Sequence, residues 1–375
     1  MAQTYFATIA PGLEDVLLQE LRTIGAKRPR VLHGGVEFDA ARKTLYAAAL
    51  RLRTANRLWL RVDEFRARDA PELYNKTRRY DWSRLIKPNA HLAIRARSGH
   101  SNLYHTDKIR EAVEDALRDH FSEDQGLEAP TFSDPSDGAL TILARLEDNR
   151  CQLSLDAAGD RLHKRGWRTH HGGAPLRESL ASALLSLSGW TPDIPLLDPL
   201  CGSGTIPIEA ALQSIQRAPG LDRSFALQQW QNHLPDRFQS IVHDLRQATT
   251  DSLQAPIMGA DRDASVLSMA DQHEAQASID GLIEWTCREL TAWADDPPFD
   301  DDQPFMVVTN PPYGHRLSLE DQLLDQLLAF TDVGRTTLCF VWPSDRRDQI
   351  HQRRPGAQRL AQFKNGGIAI DAWRL

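Results

Sequence analysis

The sequence predicts an α/β protein in which a parallel sheet, covered by helices on both faces, follows a smaller α+β part. In the C-terminal half, short continuous apolar strands alternate with helical patterns, and such β–α repeats form parallel sheets with helices on both sides. The N-terminal part also mixes strands with helices, but it carries a surplus of basic side chains. At 375 residues the chain is long enough for two domains with apolar cores of their own.

The N-terminal elements begin with a strand–helix–strand unit. "TYFATIAPGLEDVLLQELRTIGA" predicts a strand, a Pro-Gly turn and an amphipathic helix, because its apolar residues recur at helical spacing. "GGVEFDA" predicts a second short strand, and "ARKTLYAAALRLRTANRLW" predicts the helix that follows it.

Three further elements complete the N-terminal part. "HLAIRARSG" predicts a strand, "TDKIREAVEDALRDHF" a helix with Thr106 as its N-cap, and "ALTILARLEDNRCQLSLDAAG" a hairpin. The inward face of the helix is predicted to consist of Ile109, Val113, Ala116 and Leu117. Residues 122–138, rich in Ser, Asp, Gly and Pro, are predicted as a loop.

The C-terminal part is predicted to open with a helix from about Pro175, after a loop around Gly172-Gly173. Its predicted strands are "IPLLDPL", "PIMGADRD", "LIEWTCREL", "PFMVVTNPP" and "TTLCFVWP", and its later helices are "IPIEAALQSI", "ASVLSMADQHEAQA" and "LEDQLLDQLLAF". The tail predicts a hairpin that turns on Asn365-Gly366-Gly367, so the sheet should end in an antiparallel pair. Segment 212–256 is predicted to be an insertion between two strands of the sheet.

Composition narrows the class of protein. With 41% hydrophobic and 25% charged residues, no apolar run of about 18 residues and no signal-peptide pattern at the start, we expect a soluble protein and no membrane partner. The four cysteines, Cys151, Cys201, Cys287 and Cys339, are far apart, which argues against a zinc site and a disulfide framework and favours a reducing cytoplasm. His170-His171 has no partner at ligand spacing, so no metal is expected.

Charge is distributed unevenly along the chain. Residues 27–110 hold 20 Lys and Arg against 8 Asp and Glu, although the whole chain has a net charge of −7. Such a concentration indicates a polyanionic partner, with nucleic acid as the first candidate and a solvated basic face as the alternative.

The first candidate site is "LLDPLCGSGT", residues 196–205, where an acidic residue ends a strand and Gly202-Ser203-Gly204 precedes a helix. Glycines allow the backbone to approach a ligand, and the helix N-terminus offers free N–H groups. Pro207 replaces the third glycine of the dinucleotide fingerprint, and there is no P-loop lysine. Asp198 would repel a pyrophosphate but suits a cationic ligand, which favours S-adenosylmethionine; a purely structural glycine turn is the alternative.

Two more carboxylates follow the next strands. Asp261 in "GADRD" is placed to accept from the ribose hydroxyls of a nucleoside, while Asp263 is a candidate cap for the following helix. Glu289 in "CREL" is a candidate acceptor for an adenine amino group, and a surface glutamate at a strand end is the alternative.

The third candidate site is "VVTNPPYG", residues 307–314. Two prolines fix φ and remove two N–H donors, so the carbonyl groups of this turn are held rigidly. The side-chain carbonyl of Asn310 with a backbone carbonyl suits the two hydrogens of an exocyclic amine, and Tyr313 offers a ring for stacking. An amino nitrogen needs little general-base help to attack a methyl sulfonium, so positioning is expected to carry most of the rate. A plain Pro-Pro turn is the alternative.

"LLDPLCGSGTIPIEAAL" and "VVTNPPYG" resemble the class I S-adenosylmethionine-dependent methyltransferases that modify amino nitrogens. Together with "FATIAPGLEDVLLQEL", "LSLDAAGDRLHKRGWR" and "APLRESLASALL", they resemble the THUMP-domain RNA guanine-N2 methyltransferases, in particular the bacterial family that acts on large-subunit ribosomal RNA. The resemblance implies a ferredoxin-like subdomain over 1–55, a THUMP RNA-binding domain over 56–157 and a Rossmann-like methyltransferase domain over 158–375.

The resemblance also implies functional residues. The amine-holding motif is Asn310, Pro311, Pro312 and Tyr313, and the expected cofactor contacts are Asp198, Pro199, Cys201, Gly202, Ser203, Gly204, Thr205, Asp261, Arg262, Glu289, Leu290 and Asn310. Candidate RNA contacts in the basic part are Arg78, Arg79, Arg95, Arg97, Lys108 and Arg110. For the segment "HKRGWR" at the junction, contact with RNA and fixing of the domain angle are the two open expectations.

The leading hypothesis is methylation of guanine N2 in structured RNA, most directly 23S ribosomal RNA. Alternatives that keep the chemistry are guanine in tRNA, adenine N6 in nucleic acid and a glutamine amide in a protein. An alternative of another class is a non-catalytic RNA-binding assembly factor, against which the intact Asp198, Gly-x-Gly and Asn310 set argues.

Overall fold

The computed structural model describes residues 2–134, 138–168, 176–293, 298–299, 303–313, 320–332 and 335–375. The N-terminal part consists of β1 (Gln3–Thr8), α1 (Glu14–Thr23), β2 (Lys27–Leu32), β3 (Gly35–Ala40), α2 (Arg42–Arg51), β4 (Arg57–Arg66), α3 (Ala70–Arg79), β5 (His91–Gly99), α4 (Thr106–Asp119), β6 (Thr131–Phe132), β7 (Leu140–Glu147) and β8 (Arg150–Asp156). These strands form one sheet in the order β2-β3-β1-β4-β8-β7-β5-β6. Because β4 pairs with both β1 and β8, the predicted ferredoxin-like and THUMP parts share a continuous sheet.

The C-terminal part consists of α5 (Glu178–Ser188), β9 (Leu196–Asp198), α6 (Thr205–Ser214), α7 (Pro235–Ala248), β10 (Ile257–Asp261), α8 (Ala264–Gln276), β11 (Glu284–Cys287), β12 (Phe305–Thr309), α9 (Glu320–Leu328), β13 (Thr336–Pro343), α10 (Arg347–Arg353), β14 (Gln358–Asn365) and β15 (Ile368–Arg374). Its sheet has the order β11-β10-β9-β12-β13-β15-β14. The strands from β11 to β13 are parallel, and β15 is antiparallel to both β13 and β14. This confirms the predicted parallel sheet with an antiparallel pair at one edge.

Several local predictions are confirmed by the structure. The inward face of α4 is buried as expected, and the Asp263 side chain caps α8 by accepting from the Ser265 N–H at 2.9 Å. The tail hairpin turns at Gly366 and Gly367, which have positive φ values of 57° and 88°. A residue with a side chain would be strained in this backbone conformation. Segment 212–256 contributes no strand, and its helix α7 packs Phe238 edge-to-face on Tyr46 of α2, with ring centroids 5.3 Å apart.

The predicted helix over residues 41–59 is wrong in its second half. Helix α2 ends at Arg51, where Leu52 adopts an extended conformation, and β4 begins at Arg57. The Glu20 carboxylate accepts from the backbone N–H groups of Arg53 and Thr54, at 3.0 and 3.1 Å. This contact satisfies the backbone just past the helix and comes from a residue more than thirty positions away, so local helical propensity is overridden.

Other differences concern helix ends and missed elements. Residue His105, not Thr106, occupies the N-cap position of α4, and its side chain makes no cap hydrogen bond. The strand β2, which contains Pro29, was not predicted, nor were α3 and α10. Proline disfavours a strand locally, but β2 lies at the sheet edge, where a missing N–H is tolerated. The predicted loop 122–138 contains the two-residue strand β6.

Among the residues described, no helix is long and apolar enough to cross a membrane.

Candidate active site

A cleft of about 620 Å³ lies at the carboxyl ends of β9, β10 and β12. These strands are adjacent and parallel, so their carboxyl ends meet at one edge of the sheet, where ligands of such folds bind. Most of the predicted site residues line this cleft: Asp198, Cys201, Gly202, Ser203, Thr205, Asp261, Arg262, Glu289, Leu290, Asn310 and Pro312. Four predicted residues do not line it: Pro199, Gly204, Pro311 and Tyr313.

Asp198 is the most deeply buried carboxylate of the cleft, with 2% of its surface exposed. Its Oδ1 accepts from the Thr309 hydroxyl at 2.6 Å and from the Leu200 N–H at 3.2 Å. Burial raises the pKa of Asp198 to about 7, and these two hydrogen bonds oppose the rise. A buried carboxylate with this pKa is stabilised in its charged form by a cation, so the site favours a positively charged ligand.

The two glycines of the loop have different roles. Gly202 has φ +53°, and the space that a Cβ would occupy there is open, so its backbone is accessible from the cleft. Gly204 has φ +81° and precedes α6, and a Cβ on it would lie 2.6 Å from Cη2 of Trp285. Gly204 is therefore required for packing against Trp285, a reason that the local motif does not reveal.

Asp261 joins the end of β10 to the glycine loop. Its Oδ2 accepts from the Gly202 N–H at 3.1 Å, and its Oδ1 accepts from the Asp263 N–H at 3.0 Å. These bonds hold the carboxylate at the wall of the cleft, with Glu289 and Leu290 on the same wall after β11. Such a position is suited to hydroxyl and amino donors of a nucleoside.

Asn310 presents an acceptor that lacks a donor. Its Oδ1 is buried, and none of the described groups donates a hydrogen bond to it. A buried acceptor left unpaired costs about 1–3 kcal/mol, so it is expected to find its donor in a ligand. Asn310 and Pro312 both line the cleft, directly after the strand β12.

Tyr313, the last residue of this motif, is half-buried and is contacted from the far edge of the sheet. Asn365, the last residue of β14, donates from Nδ2 to the Tyr313 hydroxyl at 2.7 Å. Nothing in the local sequence predicts this contact, because the two residues are 52 positions apart. Thr309 and Arg288 were likewise not predicted; Arg288 lines the cleft, and its guanidinium lies 4.1 Å from the centre of the Trp293 ring.

The predicted RNA contacts lie on two sides of the N-terminal sheet. Arg95 and Arg97 alternate along β5 with Ile94 and Ala96, whose register partners on β7 are buried. Because α4 packs on that apolar face, Arg95 and Arg97 lie on the opposite face from Lys108 and Arg110 of α4.

The six candidates also differ in their partners. Arg78 is engaged by Glu123 at 2.8 Å and Asp124 at 2.7 Å, and Arg110 lies 3.3 Å from Asp107. Arg95 and Arg97 are exposed, and the register partner of Arg97 is Arg145, a residue that sequence analysis missed. Arg79 and Lys108 are exposed on α3 and α4.

The segment "HKRGWR" is described in full. The side chains of Arg165 and Arg168 are buried, and Arg165 contacts both halves of the chain, Arg53 in the N-terminal half and Glu209 in the C-terminal half. The His170-His171 pair lies outside the described residues. Within the described ranges, no group of three or more His, Cys, Asp and Glu side chains is placed to hold a metal ion.

Three segments of this chain match known protein families. Residues 4–59 match the family described as "RlmL ferredoxin-like domain", residues 67–156 the "THUMP domain", and residues 165–333 the "RMKL-like, methyltransferase domain". A Synechocystis protein named "Putative RNA methyltransferase slr0064" is 35% identical, over 97% of this chain and 94% of its own length. This chain belongs to the THUMP-domain class I RNA methyltransferase family.

Other relatives of this THUMP-domain methyltransferase differ in length. "Ribosomal RNA large subunit methyltransferase K/L" of Methylococcus capsulatus is 36% identical over 90% of this chain, but the match spans only 45% of that protein. Among solved structures, SMU.472, described as a putative methyltransferase complexed with SAH, has a TM-score of 0.88 at 25% identity and covers 100% of this chain and 98% of its own. A predicted N6-adenine-specific DNA methylase from Listeria monocytogenes has a TM-score of 0.84 at 26% identity, over 99% and 96% of the two chains.

S-adenosylmethionine is the cofactor of this family. The chemical groups that line the cleft suit this cofactor: the buried Asp198 carboxylate, the Asp261 carboxylate and the accessible backbone of Gly202.

Proposed function

We propose that this THUMP-domain methyltransferase transfers a methyl group to the exocyclic N2 of a guanine in structured RNA, and that this RNA is 23S ribosomal RNA. The observation that carries the proposal is the unpaired, buried Oδ1 of Asn310 in the cleft of a methyltransferase fold. An exocyclic amine supplies the donor that this oxygen lacks.

Bound S-adenosylmethionine supplies the methyl group on a positively charged sulfur. The chain binds the cofactor through the Asp198 and Asp261 carboxylates, the Gly202 backbone and the wall formed by Glu289 and Leu290. The domain boundaries 1–55, 56–157 and 158–375 are part of the same proposal, with RNA held by the first two units.

The amine-holding motif orients the nitrogen. Asn310 Oδ1 and a carbonyl of the rigid Pro311-Pro312 turn each accept one amino hydrogen, which directs the nitrogen lone pair toward the methyl group. Tyr313 stacks on the base, which must leave its helix to reach the cleft. The N–C bond would form as the bond between the methyl carbon and the cofactor sulfur breaks, and neutral S-adenosylhomocysteine would leave. The extra proton would then pass from the nitrogen to water, so no general base is required beside Asn310.

The choice of RNA rests on the relatives and on the basic surplus, and the choice of guanine rests on the sequence resemblance. The relative from Methylococcus capsulatus is named as a large-subunit ribosomal RNA methyltransferase, and the exposed Arg95 and Arg97 suit phosphate contacts. One structural neighbour is described as an adenine-specific DNA methylase, so adenine N6 is the second candidate; guanine in tRNA and a non-catalytic assembly factor are the others.

Mass spectrometry of nucleosides from purified RNA fractions tests the proposal. RNA of cells that lack this chain is compared with RNA of the parent and of cells that express the Asn310→Ala variant. We expect N2-methylguanosine to fall in 23S RNA in both altered strains. Loss of N6-methyladenosine would instead identify adenine as the target base, and loss of N2-methylguanosine from tRNA alone would identify tRNA as the substrate. Unchanged modification in every fraction would favour the assembly factor.

A further inference from the structure

The junction segment 163–168, "HKRGWR", carries two buried arginines that the proposed chemistry does not use. Arg165 is 6% exposed, and the side chain of Arg168 is 8% exposed. Burying a guanidinium is costly unless it is paired and hydrogen-bonded. The groups that these arginines hold therefore indicate their role.

Arg168 holds two walls of the cofactor cleft although it does not line the cleft itself. Its Nη2 donates to the Thr205 hydroxyl at 2.5 Å, and Nη1 and Nη2 both lie 3.2 Å from the Leu176 carbonyl oxygen. Thr205 and Leu176 line the cleft. The Arg168 charge is balanced by Glu178, whose Oε1 lies 3.4 Å from Nε.

Arg165 binds the same helix one turn further on. Its Nε lies 3.3 Å from Oε1 of Glu209, whose Oε2 accepts from the Ser182 hydroxyl at 2.6 Å. Thr205 and Glu209 are four residues apart on α6 and so share one face of that helix.

Arg165 also reaches the N-terminal half. Its Nη2 donates to the carbonyl oxygen of Arg53, and Arg53 in turn donates to the carbonyl oxygen of Arg217 at 2.6 Å. The two arginines of the segment thus bind α6 at Thr205 and at Glu209, and one of them binds the RNA-holding half at the same time.

We propose that Arg168 is a positioning residue of the cofactor site, which holds Thr205 and so sets the place of the glycine loop, and that Arg165 ties the same helix to the N-terminal half. Helix α6 begins at Thr205, immediately after the loop, so a displacement of Thr205 moves the loop. This inference rests on the proposed function in one respect, that the cleft binds S-adenosylmethionine. The Thr205 hydroxyl then acts through Arg168 and not by direct contact with the cofactor.

Calorimetry with S-adenosylmethionine and no RNA tests this on the full chain. Arg168→Lys keeps a positive charge for Glu178 but cannot reach all three partners, and we expect it to weaken binding about tenfold, because it loses hydrogen bonds made by a charged group. Thr205→Val, which removes the hydroxyl at similar volume, should weaken binding by a similar factor, and Thr205→Ser should restore it. The double variant should be no weaker than Arg168→Lys alone.

The matched control is Lys164→Ala, an exposed cation of the same segment, which should bind normally. Methylation by Arg168→Lys should return to the wild-type rate at saturating cofactor, because a positioning defect raises KM. Unchanged affinity of Arg168→Lys would overturn the inference, as would a full additional loss from Thr205→Val in its background. Either result leaves the proposed function standing if the wild type binds S-adenosylmethionine; a wild type that did not bind it would overturn both.

Discussion

The Thr309 hydroxyl donates a hydrogen bond to Asp198 Oδ1 at 2.6 Å. Thr309 ends β12, directly before Asn310, and Asp198 ends β9, directly before the glycine loop. The hydrogen bond therefore connects the proposed amine-holding motif with the glycine loop across two adjacent strands. Because it favours the charged carboxylate, it also opposes the rise in the pKa of Asp198 that burial causes.

Cofactor affinity should depend on pH near neutrality. The pKa of Asp198 is about 7 in the free protein, and a cationic ligand binds the carboxylate form. Between about pH 7.5 and about pH 6, affinity for S-adenosylmethionine should fall about tenfold, as measured by calorimetry. Thr309→Val should move the midpoint to higher pH, Thr309→Ser should leave it in place, and a pH-independent affinity would contradict the assignment.

Asp198 should also destabilise the ligand-free protein at neutral pH. The folded state binds a proton more tightly than the unfolded chain, because the pKa of Asp198 rises from 3.8 to about 7. The free energy of unfolding therefore falls as pH rises between those values. Relative to wild type, Asp198→Asn should gain on the order of 3 kcal/mol between pH 4 and pH 8, measured by urea unfolding, while losing cofactor affinity. If the free energy of unfolding depended on pH in the same way in both proteins, the raised pKa of Asp198 would be contradicted.

Asn310→Ala should abolish methylation, because positioning of the amine carries the rate. Cofactor and RNA binding should stay largely intact, because the unpaired Oδ1 has no donor in the described part of the free protein. Single-turnover methylation with binding assays on the same preparation separates these effects. Methylation at the wild-type rate would remove Asn310 from the amine-holding role.

The hydrogen bond from Asn365 to the Tyr313 hydroxyl should affect the rate of methylation. Asn365→Ala frees the ring that we propose stacks on the base, and Tyr313→Phe removes the hydroxyl to which Asn365 donates. We expect each to lower the single-turnover rate severalfold and the double variant to add little. Gln362→Ala, an exposed amide on the same strand, is the matched control, and additive losses would show that the contact is not the cause.

RNA affinity should fall steeply with salt and should depend on particular arginines. Arg95→Ala and Arg97→Ala should weaken binding, and each should reduce the slope of log affinity against log salt by up to about 1. Arg78→Ala should change the slope less, because its guanidinium is already engaged by Glu123 and Asp124. Filter binding across a salt series measures both, and a flat salt response would argue against this RNA surface.

Local patterns were sufficient for much of the fold. The β–α alternation, the tail hairpin at Gly366-Gly367 and the inward face of α4 follow from spacing and turn chemistry within a few residues. The acid at a strand end before a glycine loop, and Asn310 before two prolines, likewise identify the cleft, because in a parallel sheet consecutive strand ends meet at one edge.

The remaining features depend on contacts between residues far apart in the chain. Glu20 helps to end α2 by accepting hydrogen bonds from the backbone of Arg53 and Thr54. Trp285 packs so close to Gly204 that a side chain there would clash with it.

The sequence was therefore enough to indicate the methyltransferase family and its S-adenosylmethionine cofactor, since their motifs consist of residue types at short spacing. Only the tertiary structure revealed the hydrogen bond from Thr309 to Asp198, the hydrogen bond from Asn365 to Tyr313 and the contact of Arg168 with Thr205. Those contacts join strands and segments whose separation in sequence carries no signal, because hydrogen bonds and burial depend on distance in space.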